Sequence, residues 1–440
     1  MSHPVDKVKF RAERIGIKST AILFCSIYSS SLTHFFTFTL PPVNTEPNTV
    51  RFKKSMTRVI IKLLQIFMKQ FILSLFLLAA ISPAWSQQPE LAVAAKSFIL
   101  IDFHSGQTLA GSNPHERLDP ASLTKLMTAY VVFSALKQER VRIDQVVPVS
   151  NRSWRMVGSR MFIEPNKQVT VDELIHGVIV QSGNDACVAL AELIAGSEDL
   201  FVHMMNEEAK RLDMHNTHFT NSTGLTHSDH YSTAHDLALL AAAIIKDFPE
   251  YYPLYSLREY TYNGITQQNR NRLLWTDPNV DGMKTGWTEA AGYCLVTSAK
   301  RDQRRLISVV MGTASPNARS IESQRLLNYG FQFFDTAHPY KKDQPVANVQ
   351  IWKGAQNKLK VGFDRDIYFS LPKGKVEGLK ARMEYRQPLI APIDRGREVG
   401  MVKFILDGQE IATYPLVALE TIDTASFLGR SWDNLKMLFN

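Results

Sequence analysis

Asp119-Pro120-Ala121-Ser122-Leu123-Thr124-Lys125 leads into Leu126-Met127-Thr128-Ala129-Tyr130-Val131-Val132-Phe133, and the character of this stretch decides the fold. Asp119 is a helix-capping residue type and Pro120 suits a first helical position. The run from Leu126 to Phe133 is apolar on nearly every side, as a helix surrounded by protein requires. Ser122 and Lys125 stand three apart, so a helical start puts them on one face. Burial there disfavours an ammonium, so Lys125 is expected to have a lowered pKa and to supply the free amine that removes the Ser122 proton. The positive end of the helix favours the negative charge that then develops beside Ser122. The Ser-x-x-Lys spacing alone does not establish this chemistry, because it recurs at 134–137 and 370–373. A lysine snorkelling from an ordinary helix has the same pattern.

Two further patterns occur once each. Ser182-Gly183-Asn184 interrupts two apolar helical runs, 174–180 and 186–194, where a tight turn can project a hydroxyl and an amide. Its functional reading is a proton relay from Ser182 and a substrate-orienting amide from Asn184; its bland reading is a plain turn. Lys284-Thr285-Gly286 precedes two strand-like runs, 293–299 and 306–311, joined through Lys300-Arg301-Asp302 as a hairpin. A strand carrying Lys284 and Thr285 can line a cleft, with Gly286 permitting close approach by an extended peptide. Alone, it is a strand end with a solvated lysine. The separations, 60 residues from Ser122 to Ser182 and 102 from Ser182 to Lys284, let helices and then a sheet close around one cleft.

The net charge of +8 lies entirely in residues 1–86, which carry 11 of the 50 Lys and Arg and 3 of the 42 Asp and Glu, leaving 39 of each sign. The remaining chain is formally neutral, which removes the charge argument for nucleic acid as a partner. Within that leader, Met68-Lys69 precedes an apolar run at 71–81, and Ala84-Trp85-Ser86 ends it. Residues 68–86 therefore read as a secretory signal peptide, since the run is shorter than the roughly 20 apolar residues of a membrane span. Met68 is then a natural start and 1–67 an upstream extension without assignable periodicity. Cys187 and Cys294 remain in the exported part, where a single bridge is open but not required. Neither cysteines nor histidines show the paired spacing of a zinc site, so no metal or other cofactor is implied.

Helical and strand patterns mix from 90 to 337. Between 338 and 420, short β-like runs at 349–352, 359–363 and 367–369 alternate with turns at Asp394-Arg395-Gly396 and Asp407-Gly408, which predicts a small all-β domain. An exposed linker is expected at 337–345. In 426–440, Leu428, Trp432, Leu435 and Phe439 form one apolar stripe of a helix. On pattern alone this helix either packs on its own domain or lies on a membrane surface.

Taken with the longer strings 119–130, 181–190, 268–275 and 280–286, the three patterns resemble the low-molecular-weight penicillin-binding proteins, the serine D-alanyl-D-alanine carboxypeptidases. The likeness runs from about Val93 to the C-terminus. It implies an α+β chain: a penicillin-binding, β-lactamase-like catalytic domain of helices on an antiparallel sheet, then the all-β domain and a C-terminal amphipathic helix on the inner membrane's periplasmic face. By the same resemblance Ser122 is the nucleophile and Lys125 its base. Ser182 and Asn184 form the second element, and Lys284, Thr285 and Gly286 the third. Arg319 matches an arginine that holds the substrate carboxylate, and the backbone N–H groups of Ser122 and Trp287 form the oxyanion hole. The substrate implied is a peptidoglycan stem peptide ending in D-Ala-D-Ala, with β-lactam antibiotics as covalent inhibitors. One departure stands out: the family commonly has His or Thr where this chain has Trp287.

Three other readings compete. A class A β-lactamase needs a glutamate to activate the deacylating water, and 213–247 contains none. A D,D-transpeptidase or endopeptidase shares every motif and differs in its acceptor or leaving group. A non-catalytic peptidoglycan-binding protein has no need of an intact Ser122, Lys125 and Lys284.

Overall fold

The structure, a computed structural model, describes residues 62, 67–70 and 91–437. The expected signal-peptide run at 71–81, its cleavage region and nearly all of the upstream extension lie outside the described residues, as does Phe439.

A five-stranded antiparallel sheet organises the first part of the chain. Its strands are β1 (Ser97–Asp102), β2 (Thr108–Ser112), β3 (Val280–Thr288), β4 (Gly292–Arg301) and β5 (Arg304–Thr313), in spatial order β2-β1-β5-β4-β3. Strands β4 and β5 are the expected hairpin, with Asp302 at a positive φ of 54° in the turn. Alternation along β1 shows why the sheet is buried on both faces. Ile99 and Ile101 pack into the larger core with the helices, while Phe98 and Leu100 pack on the opposite side against Leu326 and Leu327. Those leucines belong to a long helix, Pro316–Phe333, whose N-cap Ser315 accepts the Ala318 N–H at 3.0 Å.

The larger core surrounds α1 (Lys125–Lys137), which is apolar all round and buried from Lys125 to Phe133. Its entry differs from the sequence expectation. Pro120 does not begin an α-helix; Ala121–Thr124 is a 3₁₀ turn, with Ala121 at φ 47°. Asp119 still acts at this entry, accepting the Ala121 N–H at 2.7 Å. The helix α2 (Val171–His176) packs on α3 (Asn184–Ala195), and α3, α4 (Glu198–Arg211) and α5 (Ala234–Asp247) pack against α1. The Thr170–Glu173 capping box starts α2, and a π-helical turn at Gly177–Gln181 ends the first apolar run at Ser182.

The linker expected at 337–345 is corrected in its first part: the helix Pro316–Phe333 runs directly into a strand, Phe334–Tyr340, paired with Ile367–Pro372, and only 341–345 is an exposed stretch outside the strands. His338 and Pro339 are strand residues because Ala337 and Tyr340 have apolar neighbours to pack against in the second core. That core fills a separate β domain whose six-stranded sheet includes Ala347–Trp352, Lys358–Gly362 and the hairpin Glu398–Leu406 with Gln409–Ala418. The hairpin turns at Asp407 and Gly408, both at positive φ. A final helix, Phe427–Met437, is tied back by its Asp433 carboxylate, which accepts the Lys353 N–H at 2.7 Å. Its apolar residues Phe427, Leu428, Trp432 and Leu435 are all exposed.

Candidate active site

The Ser122 turn is positioned by close backbone packing. Gly286 of β3 faces it, and a Cβ there would sit 2.9 Å from Pro120 O and 3.2 Å from Ala121 Cβ. The glycine predicted to admit a peptide therefore admits the protein's own Ser122 turn. On another side, Gly224 at φ 83° lies so close that a Cβ would fall 1.8 Å from Ala121 O. The turn is thus held between strand β3 and a loop at 221–225.

Lys125 lies 1 % exposed beneath Ser122. Its Nζ reaches Ser122 Oγ at 3.1 Å, Asn184 Oδ1 at 2.8 Å and Thr223 O at 2.6 Å. The Asn184 amide is oriented by its other end, because Nδ2 donates to Val157 O at 2.6 Å. Oδ1 therefore faces the lysine. Burial is the main cause that pushes Lys125 down from 10.5 to about 8, with Arg270 adding to the effect. None of the three partners carries a negative charge, so the hydrogen bonds they accept offset only part of the cost of burying an ammonium.

Ser182 sits in the left-handed conformation at φ 60°, which ends the π turn and aims its side chain away from the preceding helix. Its Oγ accepts from Lys284 Nζ at 3.0 Å. Lys284 is buried, and its pKa is held well below the ordinary lysine range by desolvation and then by the positive charges of Lys125, Arg270 and Arg319. It also donates to Thr285 O at 3.0 Å. The three sequence patterns thus converge: Ser122, Lys125 and Asn184 are bonded in a chain, and the Ser182–Lys284 pair lies on the same 182–184 turn.

A cleft of ≈ 1140 Å³ opens over this arrangement. Ser122, Asn184, Thr285, Gly286, Trp287 and Arg319 all line it. Lys125, Ser182 and Lys284 stand behind that lining. Arg319 is buried, not a surface ion-pair partner; its Nη1 donates to Gly286 O at 3.1 Å and its Nε has no acceptor. Burial pushes it down to about 10, which still leaves a cation in the lining of the cleft. Trp287 is 55 % exposed and packs its indole against Tyr293 at 5.8 Å between centroids. Strand β3 is an edge of the sheet, so its outer side is free to pair with an extended chain.

Several positioning residues escaped the sequence reading. Asp185 buries a carboxylate that accepts from the N–H groups of Met161, Phe162 and Ala186, fixing the segment that carries Gly158 and Ser159 at the cleft. Asn221 Oδ1 accepts from Thr223 N, Thr223 Oγ1 and Gly224 N, which shapes the loop that presents Thr223 O to Lys125. His230 is pushed down to about 4, chiefly by burial. Its Nδ1 accepts the Thr220 N–H at 3.0 Å, so Nε2 carries the proton and donates to Thr124 Oγ1 at 2.8 Å. The sequence signals them weakly: 219–232 is polar apart from Phe219, Leu225 and Tyr231, so Asn221 and His230 do not stand out, and only Asp185, an acid at the head of the apolar run 186–194, does. Cys187 and Cys294 are both buried free thiols, so the open possibility of a bridge is not realised.

The comparisons with known proteins agree with this geometry. Residues 83–315 match the D-alanyl-D-alanine carboxypeptidase family, and 334–424 match the penicillin-binding protein 5 C-terminal domain. The D-alanyl-D-alanine carboxypeptidase DacC of Escherichia coli (strain K12) is 44% identical over 375 residues, 83% of this chain and 94% of that protein. Penicillin binding protein 5 from Haemophilus influenzae superposes with a TM-score of 0.74 at 42% identity, covering 77% of this chain and 100% of that one. Penicillin-Binding Protein D2 from Listeria monocytogenes, in an ampicillin-bound form, matches at 30% identity and a TM-score of 0.52 over 56% of this chain and 100% of its own. The chain belongs to the serine-type D-alanyl-D-alanine carboxypeptidases among the low-molecular-weight penicillin-binding proteins.

Proposed function

We propose that this protein removes the terminal D-Ala from peptidoglycan stem pentapeptides through an acyl-enzyme on Ser122. The observation that carries the proposal is a desolvated Lys125 amine 3.1 Å from the Ser122 hydroxyl. The peptide lies along the outer edge of β3, and its terminal carboxylate meets Thr285 and the spare donors of Arg319. Lys125 takes the Ser122 proton as Oγ attacks the penultimate D-Ala carbonyl. The N–H of Ser122 belongs to a first helical turn, which leaves such groups without intrahelical acceptors. Together with the Trp287 N–H it receives the oxyanion, each donor contributing about 3 to 4 kcal/mol. The proton passes to the departing D-Ala, with the Lys284–Ser182 pair and Asn184 ordering the transfer, and water then cleaves the ester. A β-lactam offers the same features, a reactive amide and a carboxylate, and acylates the same serine.

Export and attachment complete the reading. No helix among the described residues is long and apolar enough to cross a membrane. The exposed apolar stripe of Phe427–Met437 instead supports peripheral binding to the inner membrane from the periplasm, after signal cleavage near Ser86.

Labelled penicillin and product analysis test the catalytic proposal. Wild type is expected to form a stable adduct and to release one D-Ala per pentapeptide, and Ser122→Ala to do neither. Equal labelling of both proteins would remove Ser122 from its role.

A further inference from the structure

Strand β3 is buried from Gly282 to Gly286 and breaks that pattern at Trp287, which is 55 % exposed and lines the cleft. Thr285 and Trp287 are two apart on the strand and project to one face, and Tyr293 of β4 is the cross-strand partner of Trp287. The indole and the Tyr293 ring lie 5.8 Å apart between centroids, at 33°. The guanidinium carbon of Arg319 stands 5.7 Å from the centre of that same Tyr293 ring. Arg319 is in turn bonded to Gly286 O, the carbonyl between Thr285 and Trp287. Trp287, Tyr293 and Arg319 therefore follow one another in contact, and the row ends at the carboxylate site proposed above.

A terminal D-alanine held by its carboxylate at Thr285 and Arg319 presents one methyl group to this aromatic wall and leaves most of the indole in water. A larger apolar side chain on the same residue removes that indole surface from water, which is favourable in proportion to the area covered. Space is not the limit, because the cleft of ≈ 1140 Å³ is larger than a short peptide's terminal residue needs. Packing on Tyr293 holds the indole in place before a ligand arrives, so less ordering is lost on binding. Where the family commonly has His or Thr, this chain has an indole, whose flat faces offer more apolar area than either.

We propose that Trp287, backed by Tyr293, sets the leaving-group specificity of this protein, so that it releases a bulky apolar or aromatic D-amino acid from the end of a stem peptide as well as D-alanine. This rests on the carboxypeptidase reading above and names the class of terminal residue that the site accepts. Ser122 Oγ bonds the penultimate D-Ala carbonyl carbon and the C–N bond to the terminal residue breaks. That residue leaves as an amine bearing the proton that Lys125 took from the hydroxyl. Water then cleaves the ester, restoring the serine and leaving a D-alanine carboxylate on the shortened peptide.

The test compares two pentapeptides that differ only in the last residue, one ending in D-Ala-D-Ala and one in D-Ala-D-Phe, as substrates of the wild type, Trp287→Ala, Trp287→His and Trp287→Phe. The wild type is expected to cut both, with kcat/KM on the D-Phe peptide no more than about fivefold below that on the D-Ala peptide. The ratio of the two is expected to fall about three- to tenfold in Trp287→Ala and Trp287→His, the worth of one aromatic contact, and less than about twofold in Trp287→Phe. Taking the ratio cancels what a substitution does to the Trp287 N–H, which serves both substrates alike. A wild type that cuts the D-Phe peptide more than about fivefold more slowly than the D-Ala peptide overturns the proposal without recourse to any variant. So does a ratio that Trp287→Ala and Trp287→His leave unchanged or raise. Failure of the wild type on both peptides overturns the carboxypeptidase reading itself, and this proposal with it.

Discussion

Replacing Asn184 by aspartate keeps the side chain's shape and places a carboxylate where the amide oxygen stands 2.8 Å from Lys125 Nζ. Burial has brought Lys125 from 10.5 to about 8. At pH 7 roughly a tenth of the molecules then hold the free amine, against about 0.03% for an ordinary lysine, a difference of about 300-fold or roughly 3 kcal/mol. A carboxylate in contact raises an ammonium's pKa by about 1 to 3 pH units, so acylation at pH 7 should fall about ten- to thousandfold. The substitution also removes the amide N–H that holds Val157 O, but that loss does not depend on the protonation of Lys125. Acylation by labelled penicillin, followed in the pre-steady state across pH, separates the two effects. The wild-type rate should climb as pH rises through about 8 and level above it, because the deprotonated lysine is the active form. In the variant the rising limb should move to higher pH and the deficit shrink along it. A deficit of equal size at every pH, with the limb still near 8, would refute the assignment of Lys125 as the rate-limiting base.

Arg319→Ala should raise KM for a carboxylate-terminated peptide about 10- to 100-fold, as expected for a charge-assisted contact, with little change for a peptide whose terminus is amidated. An equal effect on both substrates would mean that Arg319 acts through Gly286 O and not on the carboxylate. Gly224→Ala drives a Cβ into Ala121 O at a positive φ, so a loss of roughly 2 to 4 kcal/mol is expected together with slow acylation. Thermal unfolding and penicillin labelling check this, and a variant unchanged in both would show that the Ser122 turn does not depend on that contact. Deleting 426–440 should abolish sedimentation with anionic phospholipid vesicles while leaving pentapeptide cleavage intact. Vesicle binding that survives the deletion would locate attachment elsewhere.

The catalytic elements were legible because they depend on local chemistry. An apolar helix headed by Ser122 and Lys125 has to be buried, and burial is the main cause of the lysine's lowered pKa. A serine and an amide between two apolar helical runs have to lie at a break, and the π turn ending at Ser182 is that break. The β domain was readable from period-two runs and Asp-Gly turns. Of the linker expected at 337–345 only the first four residues are strand, because Ala337 and Tyr340 pair with Phe369 and Ile367 while His338 and Pro339 stay exposed at the irregularity between them. Likewise, Pro120 suits a regular helix start, and only the approach of Gly224 and Gly286 shows why a 3₁₀ turn fits there.

By itself the sequence determined which groups come together locally: the Ser122 hydroxyl, the Lys125 amine and the helix that desolvates it, all within a few residues of one another. Tertiary structure alone decided what holds them and what they face. Asp185, Asn221 and His230 act through bonds to distant backbone and side-chain groups, and Arg319 is held at the cleft by its bond to Gly286 O of β3. The physical reason is range. Desolvation by one's own helix is written in neighbouring residues, whereas hydrogen-bond partners and cavity walls come from segments that meet only when the chain is folded.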